Sequence, residues 1–202
     1  MIKTIIFDLG NVIVNVDKSK FRMFSRYSNK SVKQITKCIE ESTLMKSFER
    51  GELSEEDYYK KVSKELNLKM DFEKFKSISC GIFSPRKDVE KLIRKLKKRF
   101  RLVLLSNTDA IHFEFIKKNY KILNAFDDYV LSYKEGCRKP NPLIFLKAIK
   151  KAKTSPFNCL YFDDISEFVL AARMLGIKAF QYKNFEKLRS DLKRFKEVAK
   201  VL

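Results

Sequence analysis

The stretch "TIIFDLGNVIVNVD", residues 4–17, decides the fold. Ile5, Ile6 and Phe7 form a short apolar run that stops at Asp8. Gly10 and Asn11 then turn the chain, and a second apolar run opens with Val12, Ile13 and Val14. Four to eight apolar residues bounded by a turn signal read as a buried strand. A carboxylate at the end of such a strand stands where ligands of open parallel sheets gather.

Four more apolar runs follow the same logic: Leu102–Leu105, Tyr129–Leu131, Cys159–Phe162 and Ile177–Gln181, with the first run placed at Ile2–Phe7. Amphipathic helical patterns are expected over about 86–99, 109–119, 141–152, 165–175 and 184–199. In "RKDVEKLIRKLKKRF" (86–100), Val89, Leu92, Ile93 and Leu96 fall at i, i+3, i+4 and i+7, with the basic residues outside that stripe. Strands alternating with helices predict an α/β domain with a parallel sheet. The interval from Phe7 to Leu102 is far too long for one crossover. Within it, residues 18–84 carry helical patterns and no strong strand. "SEEDYYKKVSKELN" begins with Ser54 and Asp57 in capping-box spacing. The reading is a core of residues 1–16 and 86–202, interrupted after its first strand by a helical insert, 17–85.

The polar residues behind the strands carry the chemistry. Asp8 follows the first. "LLSNTD" brings Ser106 and Asn107 behind the second. "SYKEGCRKPNP" leads from the third to Lys139, and "CLYFDD" ends the fourth in Asp163 and Asp164. One such residue is commonly a cap or a turn. All of them in register put a carboxylate, a hydroxyl, an ammonium and an acidic pair on one edge. That set suits phosphoryl transfer. A carboxylate can attack phosphorus to give an aspartyl-phosphate, and its approach to an anion requires cations. Mg²⁺ held by Asp8 and the acidic pair would supply one. Lys139 would supply another, with Ser106 and the Asn107 backbone N–H as hydrogen-bond donors.

"FDLGNVIV", "LLSNT", "RKPNPLIF" and "YFDD" resemble the four motifs of the haloacid dehalogenase-like (HAD) hydrolases, and the resemblance covers nearly the whole chain. The insert resembles the helical cap that follows the first motif. "FERGELSEEDYYKKVSKEL" is similar to that cap near the α-D-glucose-1-phosphate phosphatases and the phosphatase domain of epoxide hydrolases. The resemblance implies a Rossmann-like core with helices on both faces, Mg²⁺ and an aspartyl-phosphate. It makes Asp8 the nucleophile and a metal ligand, and the Gly10 carbonyl a metal ligand. Ser106, Asn107 and Lys139 become phosphate binders. Asp164 becomes the direct metal ligand, with Asp163 bound through water or orienting Lys139. The implied function is a Mg²⁺-dependent phosphatase acting on a small phosphate monoester, a sugar phosphate. Two alternatives stand beside it: a dehalogenase, and a degenerate HAD-like binding protein.

Two departures bear on these alternatives. Most phosphatases of this family carry a second Asp two residues after the nucleophile, as general acid and base; Gly10 stands there. Phe168 stands where the family often has a supporting Asn. Asp17 and Asp109 are expected as helix caps.

The 202 residues carry a net charge of +19, but 33 lysines against 11 arginines. Base and phosphate readers lean on arginine, so the basic runs read as solvated helix faces and no specific nucleic-acid partner is expected. No run approaches the ~20 apolar residues of a membrane span, and the N-terminus lacks signal-peptide features. The reading is a cytoplasmic monomer or homodimer acting on a small phosphorylated metabolite, with no membrane partner. Cys38, Cys80, Cys137 and Cys159 lie far apart with a single histidine, His112. Structural zinc and a Cys–His nucleophile are poorly supported. The cysteines read as reduced buried thiols and His112 as a helix-surface or packing residue.

Overall fold

The computed structural model describes residues 1–202. Its main sheet has five parallel strands: β1 (Thr4–Phe7), β4 (Arg101–Ser106), β5 (Asp128–Leu131), β6 (Cys159–Asp163) and β7 (Lys178–Gln181), in the order β5-β4-β1-β6-β7. Each contains or closely overlaps an apolar run read from the sequence. Strands alternate their faces with period two. Ile5, Phe7, Leu102, Leu104, Leu160 and Phe162 point into one core layer. Ile6, Val103, Leu105 and Tyr161 point into the other.

Helices cover both faces. The first layer takes α5 (Lys87–Leu96), α6 (Ala110–Asn119), α10 (Phe185–Lys193) and α11 (Lys196–Ala199). The second takes α8 (Pro142–Ala152) and α9 (Ser166–Met174). The single helix expected over 184–199 is two, because Phe195 turns extended and packs edge-on against Phe180 at 6.0 Å. Phe7, fully buried, stacks on Phe162 at 5.6 Å in the first layer. Truncating such a side chain to alanine costs about 3–5 kcal/mol.

Between β1 and β4 the chain makes a helical body. It contains a 3₁₀ segment (Lys18–Arg26), α1 (Val32–Thr36) running into a π-turn (Lys37–Glu41), α2 (Thr43–Glu49), α3 (Glu55–Leu66) and α4 (Phe72–Cys80). Its own core joins Phe24, Phe48, Tyr58, Val62 and Phe75, and α6 adds Ile111 to it, with Phe115 packed alongside. Ser54 caps α3 by accepting from the Asp57 N–H at 3.1 Å, as the capping-box spacing predicts. A two-stranded antiparallel ribbon, β2 (Val14–Val16) with β3 (Phe83–Pro85), ties the entrance of this body to its exit. The sequence reading contained no strand there. A last short helix, α7 (Ser132–Glu135), follows β5. No helix is long and apolar enough to cross a membrane.

Candidate active site

The register of the sheet brings the polar residues together. Phe7 pairs with Leu104 on one side and Phe162 on the other. One residue further on, Asp8 lies level with Leu105 and Asp163. β1 is central and the chain crosses from the β4–β5 side to the β6–β7 side, so the site sits at the switch point of the sheet.

Lys139 is the hub. Its side chain is fully buried, and Nζ donates to Asp8 Oδ1 at 2.6 Å, Asp163 Oδ2 at 2.6 Å, Tyr161 OH at 3.2 Å and the Leu105 carbonyl at 3.3 Å. The face of Phe168 lies 5.1 Å from the same ammonium. Burial pushes the Lys139 pKa down, but Asp8 and Asp163 outweigh it and the ammonium stays charged.

The oxygens of Asp8, Asp163 and Asp164 gather within 4.8 Å of one another. Three carboxylates against one ammonium leave two negative charges in excess. The result is visible in Asp8. Burial first, then Asp163 and Asp164, raise its carboxyl to about 7 against the pull of Lys139. Burial likewise raises Asp164. A divalent cation would cancel the excess, so these residues fit Mg²⁺.

The two members of the acidic pair differ. Asp163 has both oxygens engaged: Oδ2 by Lys139 and the Tyr161 hydroxyl, Oδ1 by the Ile165 N–H at 2.8 Å. Asp164 uses Oδ2 alone, accepting from Asn11 Nδ2 at 3.1 Å. Asn11 adopts the left-handed conformation (φ 55°), and its Oδ1 faces the Val16 N–H at 3.3 Å. The turn after Asp8 thus reaches the acidic pair through a side chain.

Ser106 is buried at the carboxyl end of β4, and its hydroxyl makes one long bond, to the Asn107 carbonyl at 3.3 Å. The Asn107 side chain clamps the Lys139 peptide. Nδ2 donates to the Lys139 carbonyl at 3.0 Å and Oδ1 accepts from the Lys139 N–H at 2.7 Å. Gly10 lines the same cavity.

That cavity, about 330 Å³, lies between the helical body and the sheet. Its floor is Asp8, Ser106, Lys139 and Asp164, and its upper wall includes Phe21, Ile39, Met45 and Glu49. His112 lines it too, and its ring packs edge-on against Phe83 at 5.2 Å, so the packing residue expected from the sequence is also part of the cavity wall. Asp109 caps α6 as expected, accepting from the His112 N–H at 3.0 Å, and its other oxygen lies 2.6 Å from His112 Nδ1. Glu49 of α2 meets Arg138 at 2.7 Å across the cavity edge. Asp17 stays outside the cavity as a cap, accepting from the Ser19 N–H at 3.2 Å.

Tyr161, Glu49 and Arg138 escaped the sequence reading, and Asn11 was read there for its turn and not for its side-chain bond to Asp164. A lone hydroxyl inside an apolar strand was the signal for Tyr161, and an asparagine directly after glycine the signal for Asn11.

A parallel sheet with a carboxylate, an ammonium and an acidic pair at its switch point defines a hydrolase site of the HAD type. The chain belongs to the haloacid dehalogenase-like hydrolase family, whose sequence profile matches residues 2–176. It is 30% identical over 201 residues to a D-ribitol-5-phosphate phosphatase of Bacteroides thetaiotaomicron, covering 95% of this chain and 97% of the relative. It is 25% identical over 181 residues to a sesquiterpene phosphatase of Aspergillus oryzae, covering 87% of each. Among solved structures, a HAD family enzyme of Bacteroides thetaiotaomicron in complex with magnesium and inorganic phosphate superposes with a TM-score of 0.79 at 22% identity. That superposition covers 91% of this chain and 95% of the other.

Proposed function

We infer that this protein is a Mg²⁺-dependent phosphatase that hydrolyses a small sugar or polyol phosphate monoester through an aspartyl-phosphate. The observation that carries this reading is the excess of two negative charges around Asp8, beside an ammonium that contacts Asp8 directly. A phosphatase relative that matches along 95% of the chain supports it.

In this reading Asp8 is the nucleophile. Lys139 holds the Asp8 carboxylate in place and offsets charge on the incoming phosphoryl oxygens. The Ser106 hydroxyl and the Asn107 backbone N–H donate to those oxygens, since the Asn107 side chain is committed to the Lys139 peptide. Asp8, Asp164 and the Gly10 carbonyl hold Mg²⁺, and Asp163 supports the site by orienting Lys139. Bound Mg²⁺ supplies charge neutralisation at the phosphate. Attack by an Asp8 oxygen forms the acyl-phosphate bond and breaks the bond from phosphorus to the leaving oxygen, which departs as alkoxide and takes its proton from water. Water then attacks that phosphorus, releasing phosphate and restoring Asp8. Residues 17–85 act as the cap over a core of 1–16 and 86–202, and the cap side of the cavity selects the substrate. Four free, buried cysteines suit a reducing cytoplasm.

Gly10 favours one competing reading, because halide leaves without needing a proton. The acidic pair speaks against it, since displacement of halide needs no metal. Phosphate release from a sugar phosphate with Mg²⁺ and with excess EDTA tests the proposal. Activity with Mg²⁺ and silence in EDTA are expected. Halide release from a 2-haloacid that persists in EDTA would replace it with the dehalogenase reading, and silence in every assay with the degenerate one.

A further inference from the structure

We propose that the cap side of the cavity is a charge-balanced, hydroxyl-reading subsite, which admits a substrate with one phosphate on a neutral hydroxylated body and rejects a second anionic group. The proposal rests on the phosphatase reading and deepens it.

Apart from Lys139, three basic side chains line the cavity, and each is already held by a carboxylate that also lines it. Lys18 meets Glu40 at 2.7 Å, Arg138 meets Glu49 at 2.7 Å, and His112 Nδ1 meets Asp109 at 2.6 Å. The set sums to zero with His112 protonated and to one negative charge with it neutral. A second phosphate entering here finds no uncommitted cation. It must displace a carboxylate from its partner or lie against it, and either costs desolvation and repulsion.

The titration behaviour agrees with a site that leans negative. Burial, with Asp109 adding to it, raises Glu49 even though Arg138 is in contact. Burial pulls His112 down, yet Asp109 and Glu49 raise it overall.

A hydroxyl meets no such penalty, because it both donates and accepts. Four buried atoms of these pairs make no hydrogen bond of good geometry. Arg138 Nε and Asp109 Oδ2 face their ion-pair partners, which leaves Glu40 Oε1 open and His112 Nε2 with no better partner than the Ser79 backbone. Buried polar atoms are ordinarily paired, so an open acceptor and a poorly paired nitrogen on residues lining one cavity point to a ligand that supplies hydroxyls. A purely apolar tail would leave both unsatisfied.

The test compares kcat/KM of the Mg²⁺-loaded enzyme for p-nitrophenyl phosphate, a pentitol 5-phosphate and the matching pentitol 1,5-bisphosphate. The pentitol monophosphate is expected to exceed the bisphosphate by roughly 100-fold, the size of a strong like-charge penalty. Glu49→Gln removes one carboxylate charge and releases Arg138. It should raise the bisphosphate-to-monophosphate ratio at least tenfold, chiefly through the KM of the bisphosphate. Glu40→Gln, nearer the exposed end of Lys18, should move the ratio the same way. A wild-type enzyme that turns over both pentitol esters within threefold of each other overturns the subsite. So does an unchanged ratio in either variant that keeps a native circular dichroism spectrum. The wild-type comparison decides the matter if both variants misfold. Hydrolysis of p-nitrophenyl phosphate separates these failures from loss of the phosphatase reading, which follows only if none of the three esters is cleaved and which removes the subsite with it.

Discussion

Lys139 Nζ lies 2.6 Å from Asp8 Oδ1, and the same ammonium lies 2.6 Å from Asp163. One buried cation therefore fixes the nucleophile candidate and a member of the acidic pair together. Asp8→Asn should leave this scaffold standing, because asparagine fills the same volume and its carbonyl still accepts from Lys139. It removes the nucleophilic oxygen pair and one charge of the metal site. Turnover should fall by more than about a thousandfold, as for other nucleophile deletions. Phosphate release beside circular dichroism checks this, and near wild-type activity in a folded variant would exclude Asp8 as nucleophile.

Tyr161 supports the same cluster from beneath. Its hydroxyl donates to Asp163 Oδ2 and receives Lys139 Nζ at 3.2 Å. Tyr161→Phe keeps the ring, which packs edge-on against Phe145 at 5.9 Å. What is lost is the restraint on Asp163 and Lys139. Groups behind metal ligands typically contribute 10–100-fold, so kcat should fall about tenfold and the Mg²⁺ concentration for half-maximal activity should rise. Stability should change by about 1 kcal/mol, the net worth of one hydrogen bond. An unaltered Mg²⁺ requirement would mean that the hydroxyl serves packing alone.

Much of this arrangement was legible in the sequence. The five strand runs and the polar residues behind them placed Asp8, Ser106, Lys139 and Asp163 on one edge, because period-two burial and strand-end position are local properties. The β2–β3 ribbon was not legible. Each strand has three residues, one of them Pro85, and their pairing joins positions 69 apart at Asn15 and Ser84. No local pattern announces such a contact. The place of His112 on the cavity wall was not legible for a related reason. Helix α6 sends Phe113 and Ile116 to the sheet layer and Ile111 to the helical body between β1 and β4. With apolar residues on two faces, periodicity could not say which side of the helix meets the cavity.

The raised Asp8 carboxyl links Mg²⁺ to pH. Its folded-state value of about 7 lies above the ordinary 3.8, so protonation favours the metal-free folded state. That contribution is complete below the ordinary value and is lost as pH rises through about 7. Mg²⁺ and the proton then compete for one site. Thermal melts with and without Mg²⁺ should show a larger rise in Tm at pH 8 than at pH 5.5, and Asp164→Ala should shrink the pH 8 shift. Equal shifts at both pH values would separate the cation from Asp8.

The residue at position 10 governs the last expectation. Asn11, not Gly10, carries the left-handed conformation of this turn. A Cβ on Gly10 would meet only Val16 Cγ2, at 3.4 Å, an ordinary contact. Glycine is therefore not demanded by the backbone, and what the position lacks is a carboxyl group. Asp17 cannot replace it, since its carboxylate is held by Ser19 outside the cavity. The bond from phosphorus to the leaving oxygen then breaks with more charge left on that oxygen. A general acid is typically worth 10²–10⁴-fold, and its absence weighs most on poor leaving groups. Across phosphate esters of similar binding, kcat/KM should rise as the leaving alcohol's pKa falls. Aryl phosphates should exceed primary alkyl phosphates, and an anomeric sugar 1-phosphate should exceed the matching 6-phosphate. Rapid quenching that finds no accumulated aspartyl-phosphate and no burst of alcohol establishes that its formation limits the rate. Gly10→Asp, whose Cβ the turn admits, should flatten the dependence and speed the poorest leaving groups most. A flat series in the wild type would mean that another group already delivers the proton. His112 is the titratable side chain to replace next, because it lines the cavity and Asp109 holds its Nδ1. His112→Asn would then be expected to restore the slope.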